Sequence, residues 1–260
     1  MSAGTPSVTL TKEGPIGVVR LSRAHGNAIN GELVASLIAT LAEVESDPSI
    51  GGVLLKSDGK IFCPGLDLQE LVTLDRESME GFMRRFSAAV LSLYAFPKPV
   101  VVALHGHALA GGCVFALCAD WRVLRKGAVI GLNEVKVGVP LPFGVALLVR
   151  EAVPRHKVTG VALLGRNYSD DEALSAGLAD ELAEEGRVED TARARLDEFH
   201  SKDGFAFAVT KRYLRSPVIE RIRANNALLI PEWLDGWFSP GTRARIDAIV
   251  AELASKGKSK

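Results

Sequence analysis

Residues 106–121, GHALAGGCVFALCADW, run small residues into a helix-length apolar stretch that offers two cysteines and, before Asp120, no acid or base except histidine. Chemistry from such a stretch has to come from the main chain. Where a strand ends in a small-residue turn and a helix follows, unpaired backbone N–H groups point outward at a positive helix end, and glycine or alanine lets a ligand oxygen approach them. A second stretch has the same make-up. VLLKSDGKIFCPGLDLQEL leaves its strand through Gly59 and reaches Cys63-Pro64-Gly65-Leu66, as VVVALHGHALAGGCVFAL leaves through Gly106 and reaches Ala110-Gly111-Gly112. Two such amides converging on one point make an oxyanion hole, which needs no reactive side chain. Glycine at a strand-to-helix turn also serves close packing alone, and for either turn by itself packing is the simpler account.

Turns of this kind need a sheet to hold them. Residues 8–21, VTLTKEGPIGVVRL, alternate and then run apolar around a Gly-Pro turn, which predicts a hairpin. Asn30 is placed to cap a helix whose apolar positions Leu33, Val34, Leu37, Ile38, Leu41 and Val44 recur at three and four. IGGVLLKSDG and KPVVVALHG read as buried strands with a helix, Met79 to Phe96, between them. WRVL reads as a further strand, residues 127–142 as a mixed loop, and Phe143 to Glu151 as a helix. Strands alternating with helices imply crossovers and a largely parallel sheet, in which ligands gather beyond the carboxyl ends of strands.

Helices dominate the remainder of the chain. Ser169 with Glu172 has the spacing of a capping box, closed by Gly177, while Ser216-Pro217 and Ser239-Pro240 each predict a cap before proline at a first helical position. SKGKSK reads as a frayed end. With no internal repeat and no linker, the division expected is a core domain over residues 1–195 and a helical C-terminal region over 196–260.

Composition excludes several classes of function. The chain has 260 residues, 47% of them hydrophobic, enough for one sizeable core. Lys plus Arg (31) balances Asp plus Glu (31), so no global field favours nucleic acid or a membrane surface, and neither partner is expected. Cys63, Cys113 and Cys118 form no CxxC, and the five histidines form no HExxH, so no disulfide framework or metal site is indicated. The opening MSAGTPSVTLTKEG lacks the pattern of a signal peptide, and a reducing, cytoplasmic location is the expectation.

KIFCPGLDL, followed about forty residues later by KPVVVALHGHALAGGCVFALCAD, resembles the signature of the enoyl-CoA hydratase/isomerase (crotonase) superfamily. The resemblance continues through GLNEVKVGVPLPFGVALLVREAV and LLGRNYSDDEALSAGLADEL into the helical tail. It implies an α/β, crotonase-like spiral of ββα units with a C-terminal helical trimerisation region, hence a homotrimer or dimer of trimers. The implied substrate is an acyl-CoA thioester whose carbonyl oxygen sits between the N–H groups of Leu66 and Gly111. Pro64, Gly65, Asp67, Leu68 and Asn133 are the further substrate-binding positions. No cofactor is implied beyond the coenzyme A of the substrate.

Departures from the family pattern point to the reaction. Hydratases of the family continue the second turn as Gly-Gly-Cys-Glu, and that glutamate shares a catalytic water with another from a later loop. Here the first position is Val114, which can neither bind nor deprotonate water; the second falls in IGLNEV, where Glu134 is present. One carboxylate above a polarised thioester suits proton transfer between carbons two apart, so the resemblance is greatest to the Δ3,Δ2-enoyl-CoA isomerases. Such a base should be nearly dry, since apolar neighbours raise a carboxyl pKa toward the working pH. Thioester hydrolysis, weak hydration, or a non-catalytic acyl-CoA-binding subunit are the alternatives.

Other candidates have plainer roles. Asp67 is placed to cap a helix from Leu68, and Asp120 to make a buried turn bond. His105 and His107 read as packed rings, and Cys63 and Cys113 as small hydrophobes with no base to activate them. Lys211 and Arg212 suit either CoA phosphates or a solvated helix face.

Overall fold

The computed structural model of the chain describes residues 6–257. The chain opens with the hairpin β1 (Val8–Glu13) and β2 (Ile16–Leu21), then a short turn of helix α1 (Ala24–Asn27) and α2 (Gly31–Ser46). Asn30 caps α2 as its position predicts, its side chain accepting from Leu33 N at 3.0 Å. Next come β3 (Gly52–Ser57), β4 (Ile61–Cys63), α3 (Leu68–Leu71) and α4 (Arg76–Tyr94), then β5 (Val100–Leu104), β6 (His107–Leu109) and α5 (Gly111–Cys118). A third pass supplies β7 (Trp121–Arg125), β8 (Val129–Gly131), α6 (Glu134–Val137) and α7 (Phe143–Ala152). After β9 (Asn167–Ser169), α8 (Asp170–Ser175) and β10 (Glu181–Ala183), the helices α9 (Val188–His200), α10 (Gly204–Trp237) and α11 (Pro240–Gly257) complete the chain.

Those three passes are one unit repeated. In each, the first strand joins a six-stranded sheet ordered β1-β2-β3-β5-β7-β10 and the second a four-stranded sheet ordered β4-β6-β8-β9, with helix following. Apart from the antiparallel pairs β1/β2 and β8/β9, every pairing is parallel. β3 and β5 are buried at every position, which is why β5 (VVVAL) and the first four residues of β3 (GVLL) are apolar without alternation, β3 ending in the buried polar pair Lys56 and Ser57. The main core fills the space between the sheets and α2, α4, α5, α7 and α10. α9 covers the opposite face of the six-stranded sheet through Val188, Ala192 and Leu196. This is the mixed α/β spiral with C-terminal helices that the resemblance implies. Among the described residues no helix is long and apolar enough to cross a membrane.

Local expectations fail in places for identifiable reasons. The stretch over 127–142 is not simply loop, since it contains β8 and the single turn α6, closed by Gly138 at φ 82°. Ser169 makes no side-chain cap bond because it ends β9, paired to Val129. Ser216-Pro217 starts no helix: both lie inside α10, where the Ser216 hydroxyl turns back to Arg212 O at 2.7 Å and burial of Val218, Ile219 and Ile222 outweighs the lost N–H of proline. Ser239-Pro240 does start α11, with Ser239 Oγ accepting from Thr242 N at 3.3 Å. α9 runs through residues 195 and 196. Of SKGKSK, residues 255–257 belong to α11 and the rest lie outside the described residues.

Candidate active site

Three consecutive parallel strands of the smaller sheet, β4, β6 and β8, end side by side, and each hands the chain to a site residue. After β4 comes the Pro64–Leu66 turn, after β6 the Ala110–Gly111 turn, and after β8 the Asn133–Glu134 step. The long strands read from the sequence, β3 and β5, do not reach the site themselves; the short strands after Gly59 and Gly106 do.

Both turns leave an amide free to face a ligand. Ile29 N donates to Gly65 O at 2.8 Å and Asp67 N to Ile29 O at 2.9 Å, a parallel bridge that uses the residues either side of Leu66 and turns the Leu66 N–H to the opposite edge. Gly111 is the first residue of α5, so its N–H has no partner within the helix. Ala110, just before it, has φ 47° and ψ −120°, a region that L-residues rarely occupy, while its own N–H is held by Gly131 O at 2.8 Å. The turns touch. A Cβ on Gly65 would lie 2.7 Å from Ala110 Cβ and 3.3 Å from Gly111 N, so only glycine at 65 allows the two amides to come together. Packing has its share as well: a Cβ on Gly112 would lie 2.2 Å from Cys63 O.

Glu134 opens α6 beside these turns. Its Oε2 is buried and has no hydrogen-bond partner. Burial disfavours the charged form and pushes the carboxyl up from 4.5 to about 7. Val114, on the first turn of α5, lines the same cavity and is 2% exposed, so that position supplies no carboxylate beside Glu134.

Leu66, Gly111 and Glu134 line one cavity of about 470 Å³, together with Pro64, Asp67, Leu68 and Asn133. Gly65 lies behind the surface, against Ala110. Asp67 is committed to scaffolding: Oδ1 caps α3 through Glu70 N at 3.2 Å and Oδ2 pairs with Arg23 at 2.8 Å. The Asn133 side chain makes no capping bond. Sequence reasoning missed the apolar interior, built by Met83 and Phe86 of α4, Val145 of α7 and the stacked pair Trp233 and Trp237 of α10. Two tryptophans spaced four apart were a visible signal, but nothing in the sequence says which helix face the sheet will meet.

Several other groups are accounted for away from the cavity. The Lys211 ammonium is buried against Asp120 at 2.6 Å, so it does not meet CoA phosphates; Arg212 is exposed on the same helix. His107 Nδ1 accepts from Val129 N at 2.9 Å, and burial pushes the His105 imidazole down. The Cys63 and Cys113 thiols are buried and pushed up, hence unreactive.

The family model for enoyl-CoA hydratase/isomerase matches residues 11–228 of the chain. Enoyl-CoA delta isomerase 1, mitochondrial, of Mus musculus is 30% identical over 220 residues, 83% of this chain and 76% of that one. EchA17 of Mycobacterium tuberculosis, named a probable enoyl-CoA hydratase, is 31% identical over 202 residues, 77% of each chain. The crystal structure of human mitochondrial delta3-delta2-enoyl-CoA isomerase superposes with a TM-score of 0.92 at 24% identity, over 96% of this chain and 99% of that one, which is a likeness of fold. Relatives carry both reaction names, so the choice between the reactions has to rest on the site.

Proposed function

The chain belongs to the enoyl-CoA hydratase/isomerase family, and from that premise we propose that it converts 3-enoyl-CoA to 2-enoyl-CoA thioesters with Glu134 as the sole proton carrier. The observation that carries the reading is the pairing of a buried, unpartnered Glu134 oxygen with Val114 across one cavity. Hydration needs two carboxylates to hold and deprotonate a water. Moving a double bond needs one group that takes a proton and gives it back.

The thioester oxygen accepts from the Leu66 and Gly111 amides, which makes the adjacent C2 proton acidic by stabilising the enolate that its loss creates. Glu134 takes that proton. The electron pair spreads from C2 through the former C3–C4 double bond, and the now-protonated carboxyl returns the proton at C4, leaving the double bond between C2 and C3. A carboxyl with a pKa about 7 is suited to both halves, being basic enough to accept and acidic enough to donate near neutral pH. Water is not consumed.

Mixing the protein with 3-enoyl-CoA and following the ultraviolet absorbance of the conjugated product tests this directly. The wild type is expected to form 2-enoyl-CoA and Glu134→Gln to lose that activity. Binding of acyl-CoA by both proteins, with turnover by neither, would instead make the chain a binding subunit. Assembly as a homotrimer or a dimer of trimers is part of the same proposal, and sedimentation measures it.

A further inference from the structure

The cavity has an exposed end and a buried one. Ile61 and Leu253 at its rim are 39% and 47% exposed, whereas Met83, Phe86, Val145 and Trp237 are each 3% exposed or less. A substrate pinned by its thioester oxygen keeps its large polar CoA at the rim, so the acyl chain runs toward the buried end. Three residues of the lining, the buried Phe86 and Val145 and the half-buried Pro142, also bound a second, smaller cleft of about 10 Å³ between α4, α7 and α10. Its far side includes Ser87, Gly144, Ile222 and Asn226, and Ser87 and Asn226 are half-buried, so this cleft reaches toward solvent.

The shared wall is one side chain thick and firmly held. Phe86 stacks on Phe82 at 6.3 Å and tilts against Phe115 at 6.1 Å. Val145 lies in the first turn of α7, whose Gly144 approaches α10 so closely that an added Cβ would sit 3.3 Å from Ile222 Cγ2. We propose that Phe86, Pro142 and Val145 set the longest acyl chain the protein accepts, by closing the acyl cavity off from the cleft behind it. The inference rests on the acyl-CoA reading of the site and adds its length specificity, for straight apolar chains. Each methylene that finds apolar wall gains about fourfold in affinity; the first that meets the wall gains nothing and has to displace packed side chains.

The experiment measures affinity for a homologous series of saturated straight-chain acyl-CoA thioesters, which bind without reacting, beside turnover of the matching 3-enoyl-CoA series. In the wild type, affinity is expected to climb about fourfold per methylene and then break. Val145→Ala and, separately, Phe86→Leu move the break to longer chains. Adding Ser87→Leu to Val145→Ala refills the space from the far side and moves it back, which general loosening of the fold would not do. A wild-type series with no break, a break that stays put in both wall variants, or a Val145→Ala gain that survives Ser87→Leu overturns the proposal. Turnover enters separately: if no 3-enoyl-CoA reacts while the binding break moves as stated, the isomerase reading fails and the wall stands.

Discussion

At its C-terminal end α5 is fully dressed. Arg215 donates to Cys118 O at 3.0 Å and to Asp120 at 2.7 Å, Lys211 pairs with Asp120 at 2.6 Å, and the second Asp120 oxygen also accepts from Val100 N at 2.8 Å. At its N-terminal end the same helix presents a bare Gly111 amide after a strained Ala110, with the unpartnered Oε2 of Glu134 across the cavity. An acid stands near each end of this eight-residue helix, Asp120 two residues past its last turn and Glu134 on α6 beside its first. Where the carboxylate is paired with cations near the negative helix end it ties α10 to the core, and where one oxygen is left without a partner near the positive end it is, on the function proposed above, kept for a proton. Burial alone does not distinguish the two; the hydrogen-bond and ion-pair partners do.

The most severe way to break that contrast is to remove the unpartnered acid. Glu134→Gln keeps the shape and is expected to lower turnover by about a thousandfold or more, in line with the upper range for a general acid–base group. It should leave acyl-CoA affinity within a few-fold of wild type, as measured by calorimetry. At the dressed end the expectation is reversed. Asp120→Ala strands Lys211 and Arg215 as buried like charges, and urea unfolding should show a loss of about 3–5 kcal/mol. The folded fraction should still turn over substrate with the same pH midpoint; a shifted midpoint would mean that the two ends are electrically coupled, and the contrast would fail.

Much of this was legible in the residues, and the limits were physical. The long strands, the Asn30 cap and the two small-residue turns followed from periodicity and composition, because each is dictated by local geometry. The short strands β4, β6 and β8 were not. Three residues carry too little periodicity to register, yet these strands bring the turns to Glu134. Gly138, which closes α6, was a readable helix stop inside an apparent loop. Lys211 looked like any lysine on a helix face until Asp120 was placed 91 residues away in sequence. Glu134 itself was distinguished only by the resemblance, since a lone loop glutamate gives no sign of being dry.

Titration separates the ends more finely. The rate at limiting substrate should rise about tenfold per pH unit below 7 and level off above it, because Glu134 has to be ionised to take the first proton. Stability runs the other way. The folded pKa, about 7, lies above the ordinary 4.5, so the favourable contribution is complete below pH 4.5 and is lost as the pH rises to 7. Above that the fold carries an almost unsolvated charge at a cost of about 3 kcal/mol. Thermal melts at pH 5 and pH 8 should therefore show Glu134→Gln gaining on wild type much more at the higher pH. A gain equal at both would assign the effect to packing.

The smallest expected effect concerns the strain beside the bare amide. Ala110 has φ 47°, where its Cβ crowds the backbone, at a cost of order 1–3 kcal/mol that glycine would not incur. Glycine adds freedom to the unfolded chain, worth about 0.4–1 kcal/mol in the opposite sense. Relief of strain outweighs that loss, so Ala110→Gly should stabilise the protein by about 1 kcal/mol. Ala110 N is still held by Gly131 O, and α5 still begins at Gly111, so the amide should keep its aim and turnover should change by no more than a few-fold. A large loss of turnover in a more stable protein would show that the alanine methyl, packed against Gly65, fixes the direction of the donor, and that the bare end is held in place from behind.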